Sequence, residues 1–179
     1  MKRPMKIAFC GLVAALGTAL MLLQGLAPMA SIALPAVAGC LLIPVVVEAG
    51  VPWAFGCYAA TGALVLLLAP DREAALIYLL FFGYYPALYA ILGRIRQKPL
   101  RYAAKLAIFN CAAIAEGLLS LFVLGIPLES ISFLGRFTPA VLLLLANAVF
   151  IVYDFALDGL IAAYLRRGHP RVSKILKGR

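Results

Sequence analysis

The sequence predicts an all-α integral membrane bundle of six transmembrane helices, with the N- and C-termini both in the cytoplasm. Three observations predict this fold class. The chain is 65% hydrophobic and only 13% charged, its mean hydropathy is +1.05, and its basic residues lie almost entirely in three clusters. An ordinary soluble domain, by contrast, is about 25% charged and about half apolar.

This composition excludes most soluble classes of protein. A soluble domain buries only about two-thirds of its surface, so 179 residues cannot hide this much apolar area from water. A water-soluble enzyme, a nucleic-acid-binding module and a disordered tail are therefore excluded. We expect a multi-pass protein of the cell membrane, whose surroundings are the lipid bilayer and whose partners include no nucleic acid.

The formal net charge of +9 reports the orientation of the chain in the membrane. Fourteen of the 16 Lys and Arg residues fall in three clusters, which are Lys2, Arg3 and Lys6; Arg94, Arg96, Lys98, Arg101 and Lys105; and Arg166, Arg167, Arg171, Lys174, Lys177 and Arg179. Cytoplasmic loops of membrane proteins carry the excess of Lys and Arg. All three clusters are therefore predicted to face the cytoplasm.

That placement determines the number of spans, because segments on one side are separated by an even number of crossings. The apolar stretch 34–68 is broken by Gly and Pro at Glu48–Pro52. Counting it as one span gives an odd total, whereas two short spans place every cluster inside. The predicted spans, in a single transmembrane domain 1–179, are 7–26, 34–48, 52–69, 75–93, 103–125 and 138–165, followed by a basic cytoplasmic tail at 166–179.

Local signals mark the fourth span. Asp71, after Pro70, is a predicted N-cap for its helix. Pro86 has no N–H to donate, which frees a backbone carbonyl about four residues upstream, so we expect the helix to be kinked near Phe82.

The fourth span also carries an aromatic face. Spacings of four, three and four residues place four side chains on one side of the helix: Tyr78, Phe82, Tyr85 and Tyr89. A distorted aromatic helix predicts the wall of a small-molecule pocket. Aromatic packing between helices is the alternative.

Glu116 is the one acidic residue near the middle of a predicted span. An ionisable residue at membrane depth is costly and indicates a functional site. We expect Glu116 to point into the bundle, either toward a cationic or hydrogen-bonding ligand or in a hydrogen bond to Asn147 or to a tyrosine. Asn147 is the second polar candidate for contact with a ligand.

A polar stripe runs along the last span, where Asn147, Asp154 and Asp158 share one helix face. The two aspartates lie in its cytoplasmic half. They are expected to pair with basic residues of the cytoplasmic loops or with water.

The first span carries a row of small residues that predicts close approach of another helix. Gly11, Ala15 and Ala19 recur at every fourth position, with Ala14 beside them. Small-xxx-small rows serve helix association in membranes, either within one chain or with a partner.

Signatures of catalysis are missing from the sequence. It holds no HExxH, no GxSxG and no phosphate-binding glycine loop, and its single histidine, His169, lies in the tail. The cysteines Cys10, Cys40, Cys57 and Cys111 are scattered singly and are interpreted as apolar fillers rather than metal ligands. We therefore expect no enzyme activity, no cofactor, no metal site and no ATP-binding domain.

The pattern resembles the substrate-binding S components of energy-coupling factor (ECF) vitamin transporters, which are small basic proteins of six helices with both ends in the cytoplasm. The resemblance extends from about Lys6 to the tail, and Gly11, Ala14, Ala15 and Ala19 match the family's small-residue motif. It implies that these residues contact a coupling membrane protein, which works with ATPase subunits. It also implies a pocket for a vitamin-like compound, open to the outside and formed mainly by the later helices.

The sequence thus predicts a substrate-capturing subunit of an importer, with Glu116, Asn147, Tyr78, Phe82 and Tyr85 as candidate ligand contacts. A structural scaffold protein or an auxiliary subunit of another membrane complex is the alternative. One buried acid and several tyrosines, with no Arg or Lys expected within the spans, favour a polar or cationic aromatic ligand over an anion.

Overall fold

Helices form all the regular structure in the computed structural model, which describes residues 3–26, 31–122, 138–170 and 172–173. The all-α prediction is confirmed. The helices are α1 (Arg3–Leu22), α2 (Ala33–Cys40), α3 (Leu42–Glu48), α4 (Val51–Leu68), α5 (Arg72–Ile77), α6 (Tyr85–Leu92), α7 (Lys98–Phe122) and α8 (Thr138–Ala163). A 3-10 turn, Leu23–Leu26, extends α1, and π-helical turns follow α5 at Tyr78–Phe82 and α8 at Tyr164–Gly168.

Among the described residues, five helical stretches are long and apolar enough to cross a membrane: Arg3–Leu26, Val51–Leu68, Arg72–Leu92, Lys98–Phe122 and Ala140–Gly168. A further apolar stretch, Ala33–Glu48, is shorter, with a length of about 24 Å at 1.5 Å per residue. These helices are compatible with a multi-pass membrane protein. The predicted span end at 123–125 and the tail from 174 lie outside the described residues.

The long apolar stretch breaks between Glu48 and Val51. Gly50 has φ of +99°, a left-handed conformation that favours glycine. Pro52 lies in the first turn of α4, where backbone N–H groups have no acceptor within the helix. The absence of an N–H in proline therefore costs no helical hydrogen bond there. Local chemistry thus ends α3 and starts α4 within the predicted turn.

The core has two parts that differ in side-chain size. Helices α1–α6 pack mainly through small residues, among them Ala14, Ala38, Ala54, Cys57 and Ala74. Helices α7 and α8 join this unit through a cluster of larger side chains that includes Ile43, Tyr85, Phe150 and Leu157. Most other residues of α7 and α8 are exposed or half-buried.

A π-helical turn, which distorts the helix, lies where the kink near Phe82 was predicted. The N–H of Gly83 donates to the carbonyl of Tyr78 at 2.7 Å, as in a π-helical turn, and α6 starts with Pro86 in its first turn. The carbonyl of Leu79, left without that N–H, accepts instead from the Tyr58 hydroxyl at 2.9 Å. A side chain from α4 thus satisfies the carbonyl that the π-helical turn leaves without a backbone partner.

Side-chain bonds mark the two ends of the bundle. The ammonium of Lys6 donates to the carbonyl of Ala49 at 3.0 Å. The carboxylate of Glu48 accepts from the Tyr164 hydroxyl at 3.0 Å and contacts Nδ1 of His169 at 2.7 Å. The start of α1, the α3–α4 turn and the C-terminal helix end therefore meet.

At the opposite end, Asp71 caps α5, as predicted, by accepting from the N–H groups of Glu73 and Ala74 at 2.9 and 3.3 Å. Its other carboxylate oxygen accepts from the Gln24 side chain at 3.2 Å. Asp71 therefore joins the end of α1 to the start of α5.

We expect Gly39→Ala to destabilise the protein. A Cβ at Gly39 would clash with the carbonyl oxygen of Phe82, a backbone atom that the distorted segment holds against α2. Relieving such overpacking costs about 1–3 kcal/mol. Thermal unfolding of the purified protein in detergent, followed by circular dichroism, measures the loss.

Gly56→Ala is the matched control, because Gly56 is also a helical glycine but has nothing within 4 Å of its Cβ position. Alanine there should leave the stability unchanged or raise it by up to about 1 kcal/mol through helix propensity. A Gly39→Ala protein as stable as Gly56→Ala would contradict the close approach of α2 to Phe82.

Candidate ligand-binding cavity

A cavity of about 830 Å³ lies between the α5–α6 segment, α7 and α8. Its volume is within the range of about 300–1,000 Å³ that is typical of small-molecule sites. One wall is aromatic, formed by Phe81, Phe82, Tyr85, Phe109, Phe150 and Tyr153. The rings contact one another, with Phe109 and Phe150 stacked at 4.3 Å between centroids and Phe82 edge-on to Tyr153 at 4.8 Å.

Small residues on α7 and α8 leave this space open. Ala113 and Gly117 on α7, and Ala140 and Ala146 on α8, all line the cavity. A Cβ at Gly117 would meet nothing within 4 Å. The two helices therefore border an open volume that longer side chains at these positions would fill.

The polar lining of the cavity includes two carboxylates. Glu116 is half-buried on α7 and accepts a hydrogen bond from the Ser120 hydroxyl at 2.9 Å. Glu73, in the first turn of α5, also lines the cavity. Both charged residues among the described lining are acidic, so an unoccupied site has a negative character.

The structure brings together three of the five predicted ligand contacts, namely Glu116, Phe82 and Tyr85, in the lining of this cavity. Tyr78 does not line it, because its side chain is fully buried against Met21 and its neighbours in the α1–α6 core. Glu73 was not among the predicted ligand contacts, because its only signal in the sequence is a favourable charge at a helix N-terminus.

Asn147 is also absent from the cavity lining. Its side-chain amide exchanges two hydrogen bonds with Asn110 of α7, each of 2.9 Å. The expected bond from Glu116 to Asn147 or to a tyrosine is therefore replaced by the Ser120 contact within α7. Asn147 joins α7 to α8 as polar residues do between membrane helices.

A buried ion pair lies beside the aromatic end of the cavity. The ammonium of Lys105 on α7 is 2.6 and 2.8 Å from the two carboxylate oxygens of Asp154 on α8. The Tyr85 hydroxyl donates to the same carboxylate at 2.5 Å. The side chains of Lys105 and Asp154 are only 3% and 8% exposed, and the ammonium also lies 4.0 Å from the centre of the Tyr89 ring.

This ion pair shows that one prediction is wrong and that another is correct except for its location. The expectation that no Arg or Lys lies within the spans is wrong, because Lys105 is inside the predicted span 103–125 and points into the bundle. Asp154 does pair with a basic residue, as expected, but in the bundle interior. The sequence did carry a signal for this position. Lys105 lies four residues before Phe109, so the two side chains share one face of α7.

Asp158 differs from Asp154. It is exposed on α8 and forms no ion pair with any residue that the structure describes.

The small-residue row on α1 divides between two environments. Gly11, Ala15 and Ala19 are exposed on one face. Ala14 is buried and packs against α3 and α4, so it does not belong to that exposed face. Only the exposed members are available to another helix.

The described residues contain no group of three or more His, Cys, Asp or Glu side chains that would hold a metal ion. The fold and cavity define an all-helical chain, compatible with a multi-pass membrane protein, that encloses a largely apolar site with acidic groups. Comparison with protein-family models, curated proteins and solved structures found no match to this chain.

We expect Lys105→Met to destabilise the protein by about 3–5 kcal/mol, because it leaves the Asp154 carboxylate buried without its counter-ion. Thermal and denaturant unfolding in detergent measure the change. The double variant Lys105→Met/Asp154→Leu should regain most of the lost stability, since it removes both charges.

Lys98→Met is the control for this prediction, because Lys98 is an exposed lysine at the start of the same helix. Its stability should stay within about 0.5 kcal/mol of the parent protein. If Lys105→Met matches Lys98→Met, the buried ion pair does not support the fold.

Proposed function

We propose that this chain is a membrane protein that captures a small molecule in the cavity between α5–α6, α7 and α8, and that it acts as the substrate-binding subunit of an ECF-type importer. The observation that carries the proposal is the cavity itself. It combines a ligand-sized volume, an aromatic wall and a small number of polar groups, as small-molecule sites do. In this proposal the chain binds and delivers its substrate without catalysis.

The proposed topology has six crossings, with both termini in the cytoplasm. Two contacts support it: Lys6 with Ala49, and Glu48 with His169, which join three segments predicted to lie inside. The bond between Gln24, near the outer end of the predicted span 7–26, and Asp71, in the loop predicted to lie outside between the spans 52–69 and 75–93, supports it from the other end. The Glu116 end of the cavity then faces outward, where substrate is captured.

The proposed partners are a coupling membrane protein and ATPase subunits. The exposed row of Gly11, Ala15 and Ala19 supports this part of the proposal, because small residues let a partner helix approach closely. Leu12 and Leu16, also exposed on α1, would add apolar area to such a contact.

The same exposed α1 row is the observation that favours a second candidate, a scaffold or auxiliary subunit of another membrane complex. A scaffold needs the α1 face but not the cavity. The two candidates are therefore separated by tests that change one feature and leave the other intact.

Filling the cavity should abolish ligand capture. We expect Gly117→Leu to place a side chain in the open volume, because a Cβ there meets nothing within 4 Å and Gly117 lines the cavity. Mass spectrometry of small molecules released from gently purified protein measures the occupant. The variant should lose at least about tenfold in bound ligand per protein, since it occludes the site.

Gly159→Leu is the matched control, because Gly159 is an exposed helical glycine with equally open space but outside the cavity lining. It should retain the ligand. Repeated purifications of the parent protein that release no small molecule, together with no stabilisation by any vitamin, would exclude the capture function.

Enlarging the exposed α1 row should separate partner binding from ligand binding. We expect Gly11→Leu/Ala15→Leu to reduce the recovery of partner subunits in a pull-down by at least about fivefold, by holding the partner helix away. The ligand content should be unchanged.

Gly56→Leu serves as the control, because Gly56 is an exposed glycine on another helix. Equal recovery of a coupling protein with two ATPases from Gly11→Leu/Ala15→Leu and Gly56→Leu would exclude the α1 row as the interface. Loss of the cellular phenotype in Gly11→Leu/Ala15→Leu but not in Gly117→Leu would favour the scaffold.

A further inference from the structure

We infer that the ligand of this cavity is an amphiphilic organic cation, namely a protonated amine attached to an aromatic or aliphatic body about 10 Å long. This inference rests on the proposed capture function and names the chemical class of its substrate. It follows from the distribution of charge and aromatic side chains along the cavity.

The cavity is elongated along the helices. Its lining on α7 runs from Ile108 to Leu121, which corresponds to about 20 Å at 1.5 Å per residue. On α8 it runs over a similar length, from Thr138 to Tyr153. A ligand that fills this space is therefore longer than it is wide.

Polarity changes from one end of the cavity to the other. On the α5–α6 segment the lining passes from Glu73 through Phe81 to Tyr85. On α7 it passes from Glu116 to Phe109, a distance of about 10 Å along the helix. Both helical segments thus place a carboxylate at the same end and aromatic rings at the other.

The aromatic end offers no free charge to a ligand. The ammonium of Lys105 is held by Asp154, and the Tyr85 hydroxyl donates to that same carboxylate, so Tyr85 presents its ring to the cavity. Stacked and edge-on rings at this end, such as Phe109 with Phe150, suit an apolar body.

The carboxylate end selects the charge of the ligand. Every charged residue among the described lining is acidic, so an anion would meet like charge there. A neutral polyol would leave most of its hydroxyls facing hydrocarbon without partners. A protonated amine, by contrast, pairs with Glu116 while its body stays in contact with the rings.

A matched series of probes tests this class of ligand. The probes are 4-phenylbutylamine, 4-phenylbutanol and 4-phenylbutyrate, which share a body and differ in charge. Equilibrium dialysis against the full-length protein in lipid nanodiscs measures each dissociation constant, with empty nanodiscs correcting for partition into lipid. The amine should bind about 10- to 100-fold more tightly than the alcohol, as a hydrogen bond to a charged group implies, and the acid should bind more weakly than the alcohol.

Two variants connect the preference to the carboxylate. Glu116→Gln should weaken amine binding by at least about tenfold and leave alcohol binding unchanged, because only the charge is removed. Asp158→Asn, which removes an exposed carboxylate outside the cavity lining, should change neither. Thermal unfolding of both variants verifies that the fold is intact.

The outcomes separate this inference from the capture function. If the alcohol or the acid binds as tightly as the amine, or if Glu116→Gln leaves the order of affinities intact, the cavity captures a ligand of another class. If the released occupant is a phospholipid that no probe displaces, the inferred class is likewise wrong. If no probe binds and the purified protein carries no small molecule, the capture function fails together with the inference.

Discussion

The ion pair between Lys105 and Asp154 determines how the last two helices meet the rest of the bundle. Two charges with side chains only 3% and 8% exposed are tolerated in an apolar interior because each neutralises the other at 2.6 Å and Tyr85 adds a further hydrogen bond. The three residues lie on α7, α8 and α6. They therefore fix the relative rotation of these three helices at the aromatic end of the cavity. Because the two charges pair with each other, that end offers no free charge to a ligand.

A second constraint places the aromatic wall. Pro86 cannot donate a helical hydrogen bond, and the turn Tyr78–Phe82 adopts π-helical geometry in response. Tyr58 and Gly39 hold the distorted segment from two sides, one by a hydrogen bond to Leu79 and the other by a close approach to Phe82. The distortion changes the helical phase, so Phe82 and Tyr85 line the cavity while Tyr78 packs into the core.

Features that depend on a few neighbouring residues could be predicted from the sequence. The Asp71 cap, the turn at Gly50 and the distortion before Pro86 each follow from local backbone chemistry. The partners of Lys105 and Asn147 could not be predicted, because each pair joins the two consecutive helices α7 and α8 and depends on how those helices are rotated toward each other. Glu116 could be predicted as a site residue because a single carboxylate in an apolar span indicates a functional site however its helix packs.

The cavity and the polar contacts around it both follow from the difference in packing between helices α1–α6 and helices α7 and α8. Small side chains let α1–α6 approach closely, whereas α7, α8 and the α5–α6 segment border a cavity of about 830 Å³. Directional bonds, Lys105 to Asp154 and Asn110 to Asn147, keep these two helices in register where apolar packing is thin. A ligand that binds only the folded state adds stability that rises with the logarithm of its concentration once that concentration exceeds the dissociation constant. An occupant of the cavity would therefore stabilise α7 and α8, the described helices in which the smallest share of residues is buried.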